Sequence, residues 1–323
     1  METHELFGGR LKLRHLVLLV AIVEEGSFVR AAESLYISQP AVTRSVRELE
    51  ELVGTALFVR GPRGVLPTVA GEILVERARS ALGSLRRASE QLNEVRHGGA
   101  RLLRVGTNLA GAYALLPQAI VALKQAHPGT AISVVEGTAE ALTTSLQRDE
   151  VDLLVGRLDP GTYRGSLHHI RLYDEAVRPV VRRDHPALTA TTQRLTDLLS
   201  YPWILPLRPS ALRDELDDMF ADEGLRLPRD ITECSTLLTT REIILETDAI
   251  APLPMLIGVR DQLLDMLPLR LDAVPRAIGI TLPADRSVSR EARLLVDALT
   301  ETAGQLAAEL RAATQGPFDI SST

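Results

Sequence analysis

Residues 25–50 read EGSFVRAAESLYISQPAVTRSVRELE and contain two short helical patterns separated by a turn. Ser27 is well suited to cap the first helix, which the pattern extends to Leu35. Ser38 is suited to cap the second, and Pro40 falls in its first turn, where a missing N–H costs little. The stretch therefore predicts a helix-turn-helix.

The second of these helices has two chemically different faces. At about 100° per residue, one face is an apolar stripe made of Val42, Val46, Leu49 and Val53. The opposite face carries Pro40, Thr43, Arg44 and Arg47 and no acid. This layout suits a helix whose N-terminal part enters the major groove of DNA. Periodicity alone is equally compatible with a solvated charged face on a small bundle.

The flanking residues extend this unit in both directions. Before it, apolar residues from Leu13 to Val23 at three- and four-residue steps predict a helix that ends before Gly26. After it, residues 57–68 read LFVRGPRGVLPT, which predicts a β-hairpin or wing with Arg60 and Arg63 at its tip. Those arginines could meet phosphates or a minor groove. The alternative is an ordinary surface turn.

A long proline-free pattern follows from Ala70 to Arg96. Its apolar positions alternate steps of four and three residues: Leu74, Ala78, Ala81, Leu85, Ala88, Leu92 and Val95. This heptad repeat predicts a dimerisation helix, ended by a hinge at residues 97–99. A single amphipathic helix packed on its own domain is the alternative.

The remaining residues alternate strand and helix patterns, which predicts an α/β domain with a mostly parallel sheet. The predicted strands are 102–106, 131–136, 152–156, 177–181, 203–205, 231–233 and 277–281, and the predicted helices are 115–124, 139–148, 211–220, 236–246 and 290–313. No internal repeat is visible, and residues 315–323 are expected to form a flexible tail.

Composition limits the function without deciding it. The net charge is −6, and the first 66 residues carry as many acidic as basic side chains, so charge alone does not indicate nucleic-acid binding. A single cysteine, Cys234, excludes an intramolecular disulfide. There is no signal-peptide pattern and no apolar run long enough to span a bilayer, so we expect a cytoplasmic protein without a membrane partner.

The 25–50 segment, together with Gly54 and residues 57–58, resembles the LysR-type transcriptional regulators. Gly-Ser-Phe, Arg-Ala-Ala and Ser-Gln-Pro-Ala at these spacings are specific to that family. The resemblance implies an α+β multidomain protein. Its expected parts are a winged helix-turn-helix (1–68), a linker helix (69–97) and an effector domain (98–314) similar to type II periplasmic binding proteins. Within the effector domain it implies two subdomains, 101–165 plus 275–313 and 166–274.

The resemblance also implies site residues. The recognition-helix contacts to DNA would be Ser38, Gln39, Pro40, Thr43 and Arg44, and the backbone contacts would be Ser27, Arg30 and Arg63. Arg47 and Arg60 are added from the face and wing patterns above. Gln39 has the chemistry to bind adenine bidentately, and Arg44 to bind guanine. Ser27 and Ser38 could equally serve only as helix caps.

A ligand cleft is implied between the two subdomains. One wall would be formed by Thr107, Asn108, Leu109, Gly137 and Thr138, and the other by Pro206, Arg208, Ser210, Ser235, Thr236 and the region 252–254. Helix N-termini at Asn108 and Thr236, with Arg208, would suit an anionic group. Capping alone is the alternative for Thr107, Thr138 and Thr236. Asn108 stands where many members have a hydroxyl residue.

The function expected is therefore a regulator, not an enzyme, that binds promoter DNA under control of a small-molecule effector. The phrases RHL at 14–16 and WILPL at 203–207 resemble members that sense sugars or aromatic-catabolism acids. The family implies a dimer of dimers, with RNA polymerase as a further partner and no cofactor. A solute-binding protein and an α/β enzyme are the competing classes, disfavoured because the chain lacks a signal peptide and catalytic motifs. Cys234 is interpreted as a small buried hydrophobe in preference to a redox sensor.

Overall fold

The computed structural model describes residues 10–61, 64–97, 102–158, 167–190, 194–208, 210–269, 271, 277–284 and 287–314. The chain folds into two compact units. The first comprises Met1–Gly99 with Gln147–Glu150, and the second comprises Ala100–Leu146 with Val151–Thr323. No helix among the described residues is both long enough and apolar enough to cross a membrane.

The first unit begins with three helices: α1 (Leu13–Glu25), α2 (Phe28–Ser34) and α3 (Gln39–Val53). They pack around a small core to which Ile22, Ala31 and Val42 each contribute a fully buried side chain. Helices α1 and α3 end at Gly26 and Gly54, both in the left-handed conformation that glycine adopts readily. The helix-turn-helix is therefore formed as the sequence predicts.

A β-hairpin follows, with β1 (Phe58–Gly61) antiparallel to β2 (Gly64–Pro67). Gly64 holds this hairpin against the helices, because the Val65 N–H donates to the Gly26 carbonyl at 3.0 Å. A Cβ at Gly64 would lie 2.4 Å from that carbonyl oxygen, and its φ of +123° is one that few other residues adopt. The predicted wing is thus present and is fixed by a close backbone approach.

Helix α4 (Val69–His97) has two different environments along its length. Its N-terminal part belongs to the first unit's own core, where Val75 is buried with Leu19 and Leu57, and Leu74 packs against them. Ala78, one turn further along, is also buried. Further along, Leu85 is 50% exposed and Leu92 is 65% exposed. The heptad pattern therefore combines both interpretations: its first positions pack within the chain, and its later positions present apolar side chains to solvent.

Among the described residues, the second unit has a five-stranded sheet in one subdomain and, in the other, a two-stranded and a three-stranded sheet linked by a bridge. The strands and helices of its first subdomain are β3 (Leu102–Thr107), a π-helical turn (Gly111–Leu115), α5 (Leu116–Ala126), β4 (Ala131–Glu136), α6 (Ala139–Gln147), β5 (Leu153–Arg157), β6 (Leu167–Asp174), β12 (Ala277–Pro283) and α11 (Arg290–Thr314). The sheet order is β4-β3-β5-β12-β6. Strands β3, β4 and β5 are parallel, whereas β12 is antiparallel to both β5 and β6.

The second subdomain repeats this arrangement. Its elements are β7 (Val177–Arg182), a 3₁₀ turn (Pro186–Thr189), α7 (Leu195–Leu198), β8 (Trp203–Leu205), α8 (Ala211–Asp222), β9 (Ile231–Glu233), α9 (Leu237–Glu246), β10 (Ala251–Pro254), α10 (Met255–Arg260) and β11 (Leu264–Met266). Strand β9 is parallel to β8, and a parallel bridge from Trp203 to Ile250 leads on to β10, which pairs with β7 and then β11. The two subdomains share one strand order, which the sequence did not show as a repeat.

The strand pairing bears on three expectations. The strands run mostly in one direction, as predicted, with one exception in each subdomain: β12 is antiparallel to β5 and β6, and β7 is antiparallel to β10 and β11. In addition, β6 pairs along its whole length with β12, so it lies in the first subdomain's sheet and the crossover comes after Asp174, not at residue 166. The region 252–254, which the resemblance implied in the cleft wall, lies in the buried strand β10.

Candidate functional site

The outer face of α3 is where the sequence predicts DNA contacts. The structure buries Val42, Val46 and Leu49 and leaves Arg44 and Arg47 exposed, as the periodicity predicts. Gln39 and Pro40 at the start of the helix are exposed as well, and Thr43 is half-buried. The face therefore presents two arginines and an amide to solvent at the N-terminal half of the helix, which is the arrangement that groove recognition requires.

The hydroxyl groups at the two helix starts behave differently. Ser27 caps α2, since its Oγ accepts the Val29 N–H at 3.3 Å, and its hydroxyl hydrogen can still be donated to a phosphate. Ser38 occupies the N-cap position of α3 but its side chain makes no capping hydrogen bond. Ser38 is therefore the N-cap residue that the sequence predicts, but its exposed hydroxyl makes no capping bond and is available to a phosphate oxygen beside the helix N-terminus.

Four other predicted contacts are either held by intramolecular bonds or lie outside the described residues. The Gln39 amide donates to the Thr43 hydroxyl at 3.1 Å, so it must rotate to reach a base. The Arg30 guanidinium donates to the Glu25 carbonyl and lies 4.0 Å from the Glu25 carboxylate, although it is 62% exposed. Arg63 and the side chain of Arg60 lie outside the described residues, so their predicted roles remain predictions.

The predicted first wall of the ligand cleft follows β3. Thr107 is 1% exposed and its hydroxyl donates to the Val155 carbonyl at 2.8 Å, so it joins β3 to β5 and does not face a ligand. Asn108 instead caps the following turn. Its Oδ1 accepts the N–H groups of Gly111 at 3.4 Å and Arg157 at 3.2 Å. The side-chain oxygen of Asn108 is therefore used by hydrogen bonds within the protein, and its Nδ2 is the atom that remains to donate to a ligand.

The other predicted residues of this wall are held by the backbone or the core. Leu109 is half-buried against the core, and the Gly137 N–H donates to the Thr107 carbonyl at 3.1 Å. The exposed Thr138 uses its hydroxyl to accept the Ala141 N–H at 3.3 Å, which is the capping role. Asn108, Thr143 and Arg157 are among the residues that line a cavity of about 30 Å³ here. That volume admits about two water molecules, not an organic acid.

On the opposite wall, the start of α8 is tied by a charged network. Ser210 caps the helix by accepting the Arg213 N–H at 3.2 Å. The buried Arg213 guanidinium donates to the Pro206 carbonyl at 3.0 Å and to the Glu233 carboxylate at 2.7 Å. Arg208 is 55% exposed and pairs with Asp217. Arg208 and Arg213 thus both have acid partners within the second subdomain.

The start of α9 is less constrained. Ser235 and Thr236 are both exposed, and Thr236 sits at the N-cap position without a capping hydrogen bond to the backbone. The Thr236 hydroxyl donates to the Thr239 hydroxyl at 2.8 Å. The half-buried Cys234 donates to the Thr236 carbonyl at 3.5 Å. Burial raises the pKa of the Cys234 thiol, but hydrogen bonds with Thr240 and Thr236 outweigh it and lower the pKa, so the side chain is not the plain hydrophobe expected.

One pair at the carboxyl ends of the strands was not found from the sequence. Arg157, the last residue of β5, forms an ion pair with Glu215 of α8, and the two side chains are only 16% and 22% exposed. Arg157 belongs to the first subdomain and Glu215 to the second, so the pair bridges them. Because the partners are 58 residues apart and neither lies in a motif, no sequence pattern indicated it.

The crossover between the subdomains also holds an unusual carboxyl group. Glu175 lies in the two residues between β6 and β7 and is 4% exposed. Its Oε1 accepts the Leu256 N–H at 2.9 Å, and the Tyr173 hydroxyl donates to its Oε2 at 3.5 Å. Burial raises the pKa of Glu175 to about 7, and the Glu309 carboxylate adds to this, whereas both hydrogen bonds and Arg260 lower it.

Glu175→Gln is expected to remove a pH dependence of stability. The folded carboxyl holds its proton up to about pH 7, whereas its ordinary pKa is 4.5, so the folded state binds more protons in between. The wild-type chain then loses stability as pH rises from about 4.5 to 7, by up to roughly 3 kcal/mol relative to the variant. Urea unfolding at pH 5, 6, 7 and 8 measures the difference. If the free energy of unfolding changes with pH equally in the two proteins, the pKa of Glu175 is not raised in the folded state.

Both units match known protein families. The family described as "Bacterial regulatory helix-turn-helix protein, lysR family" matches residues 13–72, and the "LysR substrate binding domain" matches residues 96–304. The HTH-type transcriptional regulator PcaQ of Agrobacterium fabrum is 31% identical over 301 residues, covering 92% of this chain and 96% of its own. The regulator GbpR of Azospirillum brasilense is 33% identical over 242 residues, covering 75% and 71% of the two chains.

Solved structures agree on the fold. The crystal structure of CbnR, a LysR family transcriptional regulator, superposes with a TM-score of 0.58 at 20% identity, covering 91% of this chain and 99% of the other. A structure of full-length CbnR with its target DNA superposes with a TM-score of 0.57 at 20% identity, covering 90% and 100% of the two chains. At this identity the likeness concerns the fold alone.

Proposed function

Since the chain belongs to the LysR family of transcriptional regulators, with a helix-turn-helix DNA-binding domain and an effector-binding domain, we propose how its residues divide that work. The outer face of α3 reads operator bases through Gln39, Thr43, Arg44 and Arg47. Ser27, Arg30 and Ser38 bind the phosphate backbone. The observation that carries this assignment is that α3 buries Val42, Val46 and Leu49 and leaves two arginines exposed on the other side.

The proposed self-association uses the later part of α4. Leu85 and Leu92 expose large apolar surfaces on one stripe of a 29-residue helix, and such a stripe is stabilised when a second helix covers it. The occupant proposed is the same helix of a second copy, which would present two recognition helices to two DNA half-sites. A further association into a dimer of dimers and contact with RNA polymerase complete the proposal.

The effector is proposed to bind between the two subdomains at the carboxyl ends of their strands, where open α/β sheets place ligands. Three predicted residues support this location: Asn108 keeps its side-chain Nδ2, and Ser235 and Thr236 are exposed at the start of α9, where Thr236 makes no capping bond. Effector binding would change subdomain closure and so the geometry of the bound half-sites, to the extent that affinity differs between the two states. This function requires no catalytic step.

DNase footprinting tests the proposal. The full-length protein is assayed on the intergenic DNA beside its gene, with and without a panel of sugars, organic acids and aromatic acids. We expect a protected region with two half-sites about one or more helical turns apart, whose extent or bend changes with one panel compound. Absence of any protected region would overturn the DNA-binding assignment, and protection that no compound alters would overturn the effector assignment.

A further inference from the structure

The ion pair between Arg157 and Glu215 links the two walls of the proposed effector cleft. Arg157 ends β5, and its own N–H donates to Asn108, so its backbone is fixed at the end of the first sheet. Glu215 lies in the second turn of α8, which begins at Ala211 in the second subdomain. Each side chain is more than three-quarters buried, so the pair is largely withdrawn from water.

The neighbouring arginines are different. Arg208 and Arg213 are balanced by Asp217, which lies on the same helix as Arg213, and Arg213 is also balanced by Glu233. Their charges are satisfied whether the cleft is open or closed. A second pair that joins the subdomains, Arg260 with Glu309, lies close enough to the crossover to affect the pKa of Glu175. Arg157 is therefore the cleft arginine whose partner shown in the structure comes from the opposite wall.

The geometry of the surrounding space adds a constraint. Arg157 lines the cavity of about 30 Å³ beside Asn108 and Thr143, which is too small for an organic ligand. Every residue that lines this cavity belongs to the first subdomain, so the cavity is not the space between the two walls. A ligand that pairs with Arg157 must instead displace Glu215 from it. A partly buried guanidinium that loses its partner must gain another, because an unpaired buried charge is strongly unfavourable.

Building on the function proposed above, we propose that Glu215 acts as an internal carboxylate that closes the cleft by binding Arg157, and that the effector carries a carboxylate which takes its place. A carboxylate matches the planar guanidinium with two parallel hydrogen bonds, which a sugar hydroxyl cannot do. The ligand class is therefore an organic acid rather than an uncharged sugar. Exchange of one carboxylate for another keeps Arg157 paired while it releases α8 from β5.

The test uses acetate as a probe for the vacated position. In Glu215→Ala, the deleted carboxylate leaves Arg157 exposed to a small anion. We expect sodium acetate to raise the melting temperature of this full-length variant by several degrees more than sodium chloride or acetamide at equal concentration. Half of the effect should occur at an acetate concentration at least tenfold lower than for the wild type, in which Glu215 competes.

Two further variants make the result specific. The double variant Glu215→Ala with Arg157→Gln should lose the acetate effect, because the receptor is gone. Glu242→Ala is the matched control, since it removes an acid that pairs with Arg241 and is 67% exposed in the same subdomain, and it should respond like the wild type. If acetate stabilises Glu215→Ala no more than chloride or acetamide does, or if the double variant still responds, the proposal is wrong.

The footprinting assay tests the carboxylate assignment of the effector independently. An effector from the panel that is uncharged, or whose amide is equally active, overturns the carboxylate assignment even when the operator is protected. A carboxylate effector whose action requires Arg157 supports it. The outcomes are distinguishable from failure of the proposed function, which is an unprotected operator, because the melting experiment does not depend on DNA.

Discussion

Arg44→Ala is expected to weaken binding to the operator about 10- to 100-fold while it changes binding to random-sequence DNA by only a few-fold. Arg44 is exposed near the middle of α3, on the face opposite Val42 and Val46, where a guanidinium can reach a guanine edge with two hydrogen bonds. Such a bidentate contact contributes about 1–3 kcal/mol to discrimination. Fluorescence anisotropy with operator and scrambled duplexes, at one salt concentration, measures both affinities.

Arg77→Ala is the matched control for this variant, because Arg77 is also an exposed helical arginine but lies on α4. It should bind both duplexes nearly as the wild type does. The melting temperature of Arg44→Ala should also stay close to that of the wild type, since the side chain contributes nothing to the core. An unfolded variant would show that this face of α3 packs inside the protein, and an equal loss on both duplexes would show that Arg44 contacts phosphate.

The elements that the sequence predicted best are those whose signals are local. The apolar stripe of α3, the cap at Ser27 and the glycine at residue 26 each depend on neighbours within a few positions, and the structure contains all three. Strand β6 was missed because its pairing with β12 joins residues more than 100 positions apart. Alternation of strand and helix also cannot reveal the direction of a single strand, so the antiparallel direction of β12 was not predicted.

The candidate effector residues show a second limit. A hydroxyl residue at a strand or helix end satisfies a backbone group as well as it binds a ligand, and Thr107, Thr138 and Ser210 all bind the backbone. Sequence position indicates the end of an element but not the direction of the side chain. The Arg157–Glu215 pair was not predicted, because neither residue has any local sequence signal. The pair depends on how the two subdomains meet.

The heptad pattern of α4 also shows what a local pattern leaves open, namely which other residues contact the helix. Periodicity showed that one stripe of the helix is apolar, but not which surface covers it. In the structure the stripe positions Leu74 and Ala78 are packed against or buried by the chain itself, whereas Leu85 and Leu92 are exposed. The apolar area at these two positions is therefore the part that a second copy would bury, and each fully buried leucine contributes about 1.5–3 kcal/mol.

The double variant Leu85→Asp with Leu92→Asp is expected to become monomeric and to bind a two-half-site operator more than 100-fold more weakly. Two carboxylates on the stripe would be desolvated without partners in a helix pair, and a monomer loses the gain from joining two half-sites. Light scattering at micromolar concentration gives the mass, and anisotropy with a two-half-site and a single-half-site duplex gives the affinities. On the single-half-site duplex, the affinities of the wild type and the variant should differ far less.

Arg86→Asp provides the control, because it changes the net charge by the same two units and places an aspartate on an exposed position next to the stripe. If this variant keeps the wild-type mass while the double variant does not, the effect belongs to the stripe and not to charge. A double variant that retains the wild-type mass would show that association occurs elsewhere in the chain. If the double variant is monomeric by molar mass but binds the operator as tightly as the wild type, dimerisation through α4 is not what brings two recognition helices to two half-sites. That result would contradict the proposed arrangement.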